Sequence, residues 1–438
     1  MSPTFQSLEI RNYRIYASGA IVSNVGTWMG RVAQDWLVLT VLTDHSATAL
    51  GIVTGLQFLP FLVLAPFAGM LVDRLPKRQL LFATQTALLV TALLLAVLTA
   101  TGVVQLWHVY ALALIQGVAT AVDNPARQTF VSEMVDTSHL PNAVALNSAS
   151  FNLGRLIGPG VAGLVIAAFG IAPALFVNAA TFLFVLLALV RLRSSELTPS
   201  PRARGKGQIR DGLRYVRGRP DLILVLFLVF VLGTFGMNFQ LTMALMATKV
   251  FDKGAGEYGL LGSIMAVGSL TAALLSARRA RPRLRVLLVA LAGFTVSTAL
   301  LATAPSYLLF AVYLVPTGLA ALTALTTANA MVQISVDPVM RGRVMALYMA
   351  IFMGGTPVGA PVIGWIGDVW GPRWTIGIGT VAVGLSLAAV AVWVARRQNV
   401  AVTFQTQRSP RLRIQVAPQT VDEAAPAPAA RATAEAVR

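Results

Sequence analysis

The chain has 438 residues, of which 56% are hydrophobic and 12% are charged, with a formal net charge of +17. Soluble domains carry about 25% charged residues, so this composition excludes a soluble globular protein and indicates an all-α polytopic membrane protein. The chain contains no cysteine, which excludes disulfide bonds and thiolate metal sites.

Apolar stretches of about 20 residues are long enough to cross a bilayer as helices. We predict twelve such transmembrane helices, and Gly or Pro separates neighbouring spans in the two longest charge-free stretches. In chain order the predicted spans are 15–43, 48–72, 79–101, 106–131, 142–168, 172–190, 222–248, 258–277, 286–303, 306–336, 344–367 and 374–395.

The chain contains an internal repeat. Asp136 aligns with Asp337, and the segment 158–163 (Gly-Pro-Gly-Val-Ala-Gly) aligns with 359–364 (Gly-Ala-Pro-Val-Ile-Gly). Similar halves in the same orientation predict two pseudo-symmetric six-helix bundles with a binding site between them. The predicted boundaries are an N-terminal bundle at 1–190, a basic cytoplasmic linker with an amphipathic helix at 191–220, a C-terminal bundle at 221–396 and a disordered cytoplasmic tail at 397–438.

Most Lys and Arg residues outside the predicted spans fall in loops on one side of the membrane. Basic residues concentrate on the cytoplasmic side of membrane proteins. We therefore expect both termini in the cytoplasm and the chain in the inner or plasma membrane. This division explains the net charge without nucleic acid as a partner, and we expect a monomer surrounded by the lipid bilayer.

Charged residues inside the predicted spans mark candidate sites, because a charge at membrane depth costs about 2.5–3.5 kcal/mol. Arg31 and Asp35 are four residues apart on one helix face, within reach of a salt bridge. A carboxylate beside a cation can exchange its proton when a substrate arrives; alternatively, the two form a permanent ion pair. Asp123 and Arg127 repeat this spacing around Pro125, which favours a cytoplasmic gate or a pairing between helices over a substrate contact.

Arg155 lies near mid-membrane in the fifth span, one helical turn from Asn152. It can hold an anionic substrate, neutralise Asp35 or Asp123 across the bundle, or serve the structure alone. The proton-coupling candidates are Asp35, Arg31, Asp123 and Arg155.

Polar and aromatic residues on spans expected to line the cavity are the candidates for substrate contact. Each of them alone is more often a hydrogen bond between packed helices than a ligand contact. They are Asn24, Trp28, Gln57, Asn152, Asn238, Gln240, Asn329 and Gln333.

The loop between the second and third spans resembles the signature loop of the major facilitator superfamily. It reads Gly69-Met70-Leu71-Val72-Asp73-Arg74-Leu75-Pro76-Lys77-Arg78, with Pro76 where the superfamily pattern has its second glycine. The resemblance implies the twelve-helix fold of that superfamily and a cytoplasmic gate loop. We assign Gly69, Asp73, Arg74, Lys77 and Arg78 to this gate, and group Arg127 with them.

Motifs of the N-terminal half are similar to those of the branch that holds enterobactin-type siderophore exporters and macrolide or multidrug exporters. They include Val32-Ala33-Gln34-Asp35-Trp36-Leu37 and Asp123-Asn124-Pro125-Ala126-Arg127-Gln128. In exporters of the superfamily the fifth span carries an antiporter signature, and here the corresponding residues are Gly154, Gly158, Pro159 and Gly163. Many drug–proton antiporters carry Arg three residues before Gln-Gly in the fourth span, where this chain has Ala113.

These features predict a secondary transporter that exports a hydrophobic or amphipathic small molecule of the drug, macrolide or siderophore class, by proton antiport with alternating access. Gly205-Lys206 is followed by Gly207, so there is no Walker loop to use ATP. The spans hold no catalytic or metal-ligating constellation, so we expect no enzyme and no cofactor. The alternatives are an importer or uniporter on the same fold and a non-transporting membrane sensor or scaffold.

Overall fold

A computed structural model gives the structure of residues 3–198, 208–277, 282–397, 401–405 and 411–415, and these are almost entirely helical. The first helices are α1 (Arg11–Leu37), α2 (Ala47–Arg74), α3 (Lys77–Ala100), α4 (Leu106–Met134), α5 (Leu140–Phe169), α6 (Ile171–Arg191) and α7 (Gln208–Arg217). They are followed by α8 (Pro220–Val231), α9 (Phe239–Leu245), α10 (Ala255–Ala277), α11 (Leu284–Ala302), α12 (Tyr307–Ser335), α13 (Pro338–Gly354), α14 (Thr356–Trp370) and α15 (Trp374–Arg397).

Eleven segments of the described residues are long and apolar enough to cross a membrane. The first helix is not among them, because its mean hydropathy is lower than that of the eleven segments. The expectation of an all-α polytopic membrane protein is therefore confirmed. The count of twelve spans stays a prediction because of α1.

The seventh and eleventh predicted spans are not continuous helices. Span 222–248 consists of α8 and α9, each followed by a π-type turn, and span 344–367 is divided between α13 and α14. The two breaks lie against each other, because a Cβ atom at Gly233 would stand 2.6 Å from the carbonyl oxygen of Phe352. Glycine thus permits a close backbone approach where both helices are interrupted.

The outer surface of the helical bundle carries many large apolar side chains. Leu164, Phe169, Val289 and Leu308 expose between 70% and 73% of their surface. Large exposed apolar patches are rare on soluble monomers, whereas they match the hydrocarbon interior of a bilayer. The chain is a multi-pass membrane protein.

The two ends of the bundle are distinguished by charge. At one end of the bundle α1 begins, α2 ends and α3 begins. This end carries Arg11, Arg14, Arg74, Lys77 and Arg78, and we call it the basic face. At the opposite face α1 ends and α2 and α10 begin.

The most extensive packing between the first six helices and the later ones is that of α2 on α14 and of α5 on α10. A Cβ atom at Gly51 would clash with the carbonyl oxygen of Ala360, and one at Gly259 with that of Pro159. Each of these glycines is the fifth residue of its helix. Since Pro159 and Ala360 fall in the aligned segments of the repeat, the two contacts are related by the pseudo-symmetry, and both hold the halves together toward the opposite face.

Asp368 of α14 caps the N-terminus of α2 at the opposite face. Its carboxylate accepts hydrogen bonds from the backbone N–H groups of Ala47 and Thr48, both at 2.8 Å. It also accepts from the hydroxyls of Ser46 at 3.0 Å and Thr48 at 2.7 Å, and Lys249 Nζ lies 3.7 Å away. A carboxylate here satisfies N–H groups that a helix leaves unpaired and meets the positive end of its dipole. One side chain therefore ties the two halves together.

The linker contains a helix, as predicted, but this helix packs on protein. Asp211 of α7 forms an ion pair with Arg343 of α13 at 3.1 Å, and Tyr215 donates a hydrogen bond to Asp337 at 3.0 Å. Val216 is buried. The helix thus contacts the second half, and the expected contact with the membrane surface stays a prediction.

The tail contains two short strands, β1 (Ala401–Gln405) and β2 (Arg411–Gln415), which pair in antiparallel with Ala401 opposite Gln415. The predicted disorder therefore does not describe these ten residues, where the sequence alternates apolar and polar residues in a pattern that favours strands. The rest of the predicted tail beyond Arg397, and linker residues 199–207, lie outside the described residues. The boundaries between the halves stay predictions.

We predict that Asp368→Ala opens the opposite face more often. A hydrogen bond to a charged group contributes about 1.5–3 kcal/mol, so the variant loses much of the tie between α14 and α2. The chain has no cysteine, and a single Thr54→Cys on α2 reports access to the cavity described below. Labelling by a membrane-impermeant maleimide added at the opposite face should become about tenfold faster, since about 1.4 kcal/mol is a factor of ten.

The control is Asp221→Ala, which removes an exposed ion pair with Arg219 at the basic face. It should leave labelling at the opposite face unchanged. Equal labelling rates in wild type and Asp368→Ala would show that Asp368 does not hold this face closed.

Candidate functional site

A cavity of about 1050 Å³ lies between the two halves. Its lining reaches Val131, three residues before the end of α4, and Val144 near the start of α5, so it extends close to the basic face. At the opposite face the halves are in contact along α2–α14 and α5–α10. The arrangement is that of a transporter with a central cavity between two halves that are in contact toward the opposite face.

The cavity wall includes eight aromatic and four methionine side chains. Such walls suit large apolar molecules, and methionine adapts its shape to different ligands. The aromatic lining residues are Trp28, Phe58, Phe61, Phe151, Phe182, Phe239, Tyr258 and Phe352, and the methionines are Met237, Met243, Met265 and Met353.

The predicted contact between Arg31 and Asp35 is not an ion pair in the described structure. The guanidinium of Arg31 lies in the cavity wall, 5.1 Å from the ring centre of Trp28 and 5.7 Å from that of Phe58. The spacing along the helix allowed a salt bridge, but the aromatic faces attract the cation instead.

Asp35 is bonded to the second half of the protein. Its Oδ2 atom accepts a hydrogen bond from the hydroxyl of Tyr258 on α10, at 3.0 Å, and the side chain is buried. Trp36 stacks on the Tyr258 ring, with centres 6.0 Å apart. Tyr258 lines the cavity whereas Asp35 lies behind it, so the tyrosine hydroxyl stands between the carboxylate and the cavity.

Asp123 forms the predicted ion pair with Arg127, at 2.5 Å. Its other oxygen accepts hydrogen bonds from Thr84 at 2.7 Å and Gln85 at 2.8 Å, both on α3. A buried carboxylate with three donors is well satisfied. Asp123 and Arg127 also line the cavity, so the pair fixes α4 against α3 and forms a charge-balanced part of the wall.

Arg155 lines the cavity without an ion pair or hydrogen bond to any of the described residues. It does not neutralise Asp35 or Asp123, because Tyr258 and Arg127 already occupy those carboxylates. Its other two expected roles, holding an anionic substrate or serving the structure alone, stay predictions.

Six of the eight predicted substrate-contact residues line the cavity: Asn24, Trp28, Gln57, Asn152, Asn238 and Gln240. Several also bond within the protein. Asn24 donates to Ser150 at 2.9 Å, and Asn152 donates to the Ser148 carbonyl. Asn329 and Gln333 are not in the lining; Gln333 donates to Asn329 at 2.6 Å near the end of α12, so the two amides satisfy each other.

The predicted gate loop contacts only the first half among the described residues. Lys77 pairs with Glu133 of α4 at 3.1 Å, and Arg78 donates to the carbonyls of Leu189 and Val190 at the end of α6. Arg74 is exposed, and no atom lies within 4 Å of a Cβ placed on Gly69. The Asp73 side chain lies outside the described residues. These contacts brace α3 against α4 and α6, and the gate role stays a prediction.

The antiporter-like helix α5 uses its glycines for close packing on both sides. Cβ atoms at Gly154 and Gly158 would stand 2.8 Å from Asn24 and 2.6 Å from Trp28 of α1. One at Gly163 would stand 2.6 Å from the Ala255 carbonyl of α10. Gly154 and Gly158 therefore fit α5 against the first half, whereas Gly163, with Pro159, fits it against the second.

One loop carboxylate outside the spans belongs to the repeat rather than to the cavity. Ser138 and His139 donate hydrogen bonds to Asp136, and they hold the pKa of that carboxyl below its usual range. Its repeat counterpart, Asp337, accepts the bond from Tyr215 of α7. Both residues order the start of the next helix at the basic face.

Sequence reasoning missed Tyr258, Phe58 and Asp368. Each contributes through a contact across helices that are distant in sequence, and no local spacing signals such a contact. The sequence placed Tyr258 at the start of a predicted span, a position where aromatic residues are common as membrane-interface anchors, and gave no other signal for it.

A family model described as a transmembrane secretion effector matches residues 2–421. The chain is 26% identical to the staphyloferrin A transporter of Staphylococcus aureus, over 84% of this chain and 94% of that protein. It is 27% identical to the multidrug efflux pump Tap of Mycolicibacterium fortuitum, over 86% and 94%. It is 25% identical to the enterobactin exporter EntS of Shigella boydii, over 83% and 85%.

Solved structures share the fold. The D-xylose-proton symporter superposes with a TM-score of 0.66 at 13% identity, covering 85% of this chain and 96% of that one. A bacterial homolog of the human lysosomal transporter Spinster, in an inward-facing and unoccupied conformation, gives 0.63 at 13% identity, covering 90% and 96%. These structures establish the two-bundle architecture, and the family model matches nearly the entire chain. The chain therefore belongs to the transmembrane secretion effector family, a group of major facilitator superfamily transporters.

Proposed function

We propose that this transporter exports a hydrophobic or amphipathic small molecule of the drug, macrolide or siderophore class in exchange for protons. The observation that carries the proposal is the hydrogen bond between Asp35 and Tyr258, which joins a buried carboxylate of the first half to a cavity-lining side chain of the second. The relatives named for staphyloferrin A, enterobactin and multidrug efflux support this range of substrates.

We infer that Asp35 carries a proton between two conformations. Its bond to Tyr258 bridges α1 and α10, close to where the halves meet at the opposite face. Rocking of the halves breaks this bond, and a buried carboxylate without its donor costs about 1.5–3 kcal/mol. Protonation from the opposite face removes that cost, and closure returns the proton toward the cavity, whose lining includes the buried Tyr258.

The cavity supports a bulky and largely apolar substrate. Its volume of about 1050 Å³ is at the upper end of the range for small-molecule sites, about 300–1,000 Å³. Polar side chains are interspersed among the apolar ones on several helices, so they orient a molecule without matching one structure. Broad or bulky substrates are therefore favoured over a small sugar-like molecule.

The placement of the basic residues supports loading of substrate from the cytoplasm, as export requires. With the basic face in the cytoplasm, as the positive-inside rule predicts, the cavity opens to the cytoplasm and loads substrate there. Both termini are then cytoplasmic, and a single chain in the inner or plasma membrane contains the complete pathway between its two halves.

We predict that Asp35→Asn abolishes proton-driven export. Asparagine still bonds Tyr258 but cannot carry a proton. The measurement is efflux of a panel of dyes, macrolides and siderophores from cells with wild type or variant, with and without a protonophore. Wild type should show protonophore-sensitive efflux, and the variant should fall to the level of cells lacking the protein at equal membrane abundance.

Other outcomes distinguish the alternatives. Efflux by Asp35→Asn at the wild-type rate would remove Asp35 from the coupling and leave the exporter class standing. Accumulation rather than efflux of a panel compound would indicate an importer. If no compound of the panel is transported in energised vesicles, the result would favour the hypothesis of a membrane sensor or scaffold.

We predict that Tyr258→Phe reduces export about tenfold, because it removes the hydrogen bond to a charged group, worth about 1.5–3 kcal/mol, while keeping the ring stacked on Trp36. The matched control is Tyr307→Phe, whose hydroxyl donates to the Glu257 carbonyl at 2.9 Å within the second half. It should transport like wild type. Equal rates for both variants would contradict a coupling role for the bond between the halves.

A further inference from the structure

The charges that line the cavity do not balance. The charged lining residues are Arg31, Asp123, Arg127 and Arg155. Asp123 and Arg127 form an ion pair with each other, which leaves the two other arginines without a carboxylate in the described lining. Arginine keeps its charge in proteins. The lining itself therefore carries an excess of positive charge, which Asp35, one turn from Arg31 and behind the lining, offsets only in part.

Both arginines line the cavity with N–H donors that make no hydrogen bond to the described residues. Arg155 has no hydrogen bond or ion pair with the described residues, and Arg31 contacts only the faces of Trp28 and Phe58. A guanidinium has five N–H donors in a planar fork that matches a carboxylate. Stacking on aromatic rings leaves these donors free. Two unpaired cations at membrane depth are costly, and an anionic ligand removes this cost.

The packing of α1 on α5 sets the separation of the two charges. Gly154 lies against Asn24, and Gly158 lies against Trp28, so the helices are parallel and in register at these positions. Arg155 is therefore level with the residue after Asn24, and Arg31 is six residues further along α1. At 1.5 Å per residue this separates the two side-chain origins by about 9 Å along the helix axis, with Trp28 between their levels.

We propose that Arg31 and Arg155 form a two-point anion site and that the transported substrate is an amphipathic organic acid. One or two carboxylate or phenolate groups would meet the guanidinium groups, and an aromatic or apolar body would pack on Trp28 and the surrounding aromatic wall. This inference rests on the proposed export function and names its substrate class. Lipophilic cations are disfavoured, because they meet two like charges in a desolvated cavity.

The test uses two dyes that share a xanthene ring system and differ in charge. Fluorescein is anionic near neutral to mildly alkaline pH, whereas rhodamine 123 is cationic. Binding of each dye to the purified full-length protein in lipid nanodiscs is followed by fluorescence anisotropy. We expect fluorescein to bind at least about tenfold more tightly than rhodamine 123, a factor that corresponds to about 1.4 kcal/mol.

Variants assign the preference to the two arginines. Arg155→Gln and Arg31→Gln should each weaken fluorescein binding about tenfold and leave rhodamine 123 binding equal or stronger. Arg155→Lys keeps the charge and should restore most of the affinity, which a purely structural role would not require. Arg214→Gln on the exposed face of α7 removes the same charge outside the cavity and should bind both dyes like wild type.

The outcomes separate this proposal from the export function. Equal affinity for the two dyes, absence of fluorescein binding, or indifference of fluorescein binding to both cavity variants overturns the anion site, even if cells export a panel compound. Charge-selective binding that depends on both arginines supports the anion site, even if no export is seen. Thermal unfolding of each variant in nanodiscs confirms that affinities are compared between folded proteins.

Discussion

A charged side chain in the membrane-spanning part of a protein needs either hydrogen-bonding partners or access to water, because its desolvation in hydrocarbon is costly. The chain meets this need in two ways. Asp123 is satisfied by Arg127 and by two donors from α3, and Lys77 is satisfied by Glu133. Arg31 and Arg155 have no such partners among the described residues and are instead placed at the cavity. The cavity thus makes these charges tolerable, and the charges give the cavity its chemistry.

The same need for hydrogen-bonding partners also bears on how the two halves close at the opposite face. They close at the opposite face through backbone approaches that only glycine allows, as at Gly51 and Gly259, and through the cap that Asp368 places on α2. The bond between Asp35 and Tyr258 also spans the halves. Closing this face satisfies two carboxylates at once, whereas opening it exposes both. Substrate access at one face and the state of these carboxylates are therefore linked through a single rigid-body motion.

The sequence predicted what depends on local pattern. Apolar run length identified eleven segments that can span the membrane, and the repeat identified two related halves. The four-residue spacing of Asp123 and Arg127 corresponds to an ion pair in the structure. The identical spacing of Arg31 and Asp35 was misleading, because these two side chains do not pair with each other. Arg31 instead contacts the rings of Trp28 and Phe58. Asp35 accepts a hydrogen bond from Tyr258. Tyr258 and Phe58 lie on other helices, so only the packed structure reveals them.

The contacts of the linker helix also set a limit on how far the two halves can part at the basic face. The backbone N–H of Thr198 bonds to the Glu133 carbonyl of α4 at 2.9 Å, and α7 is held to α13 by the ion pair between Asp211 and Arg343. The covalent tether between the halves therefore runs only from Thr198 to the start of α7 at Gln208. Ten residue steps reach at most about 33–36 Å when fully extended. Lengthening or shortening this tether sets the widest mouth that the cavity can present to an incoming molecule.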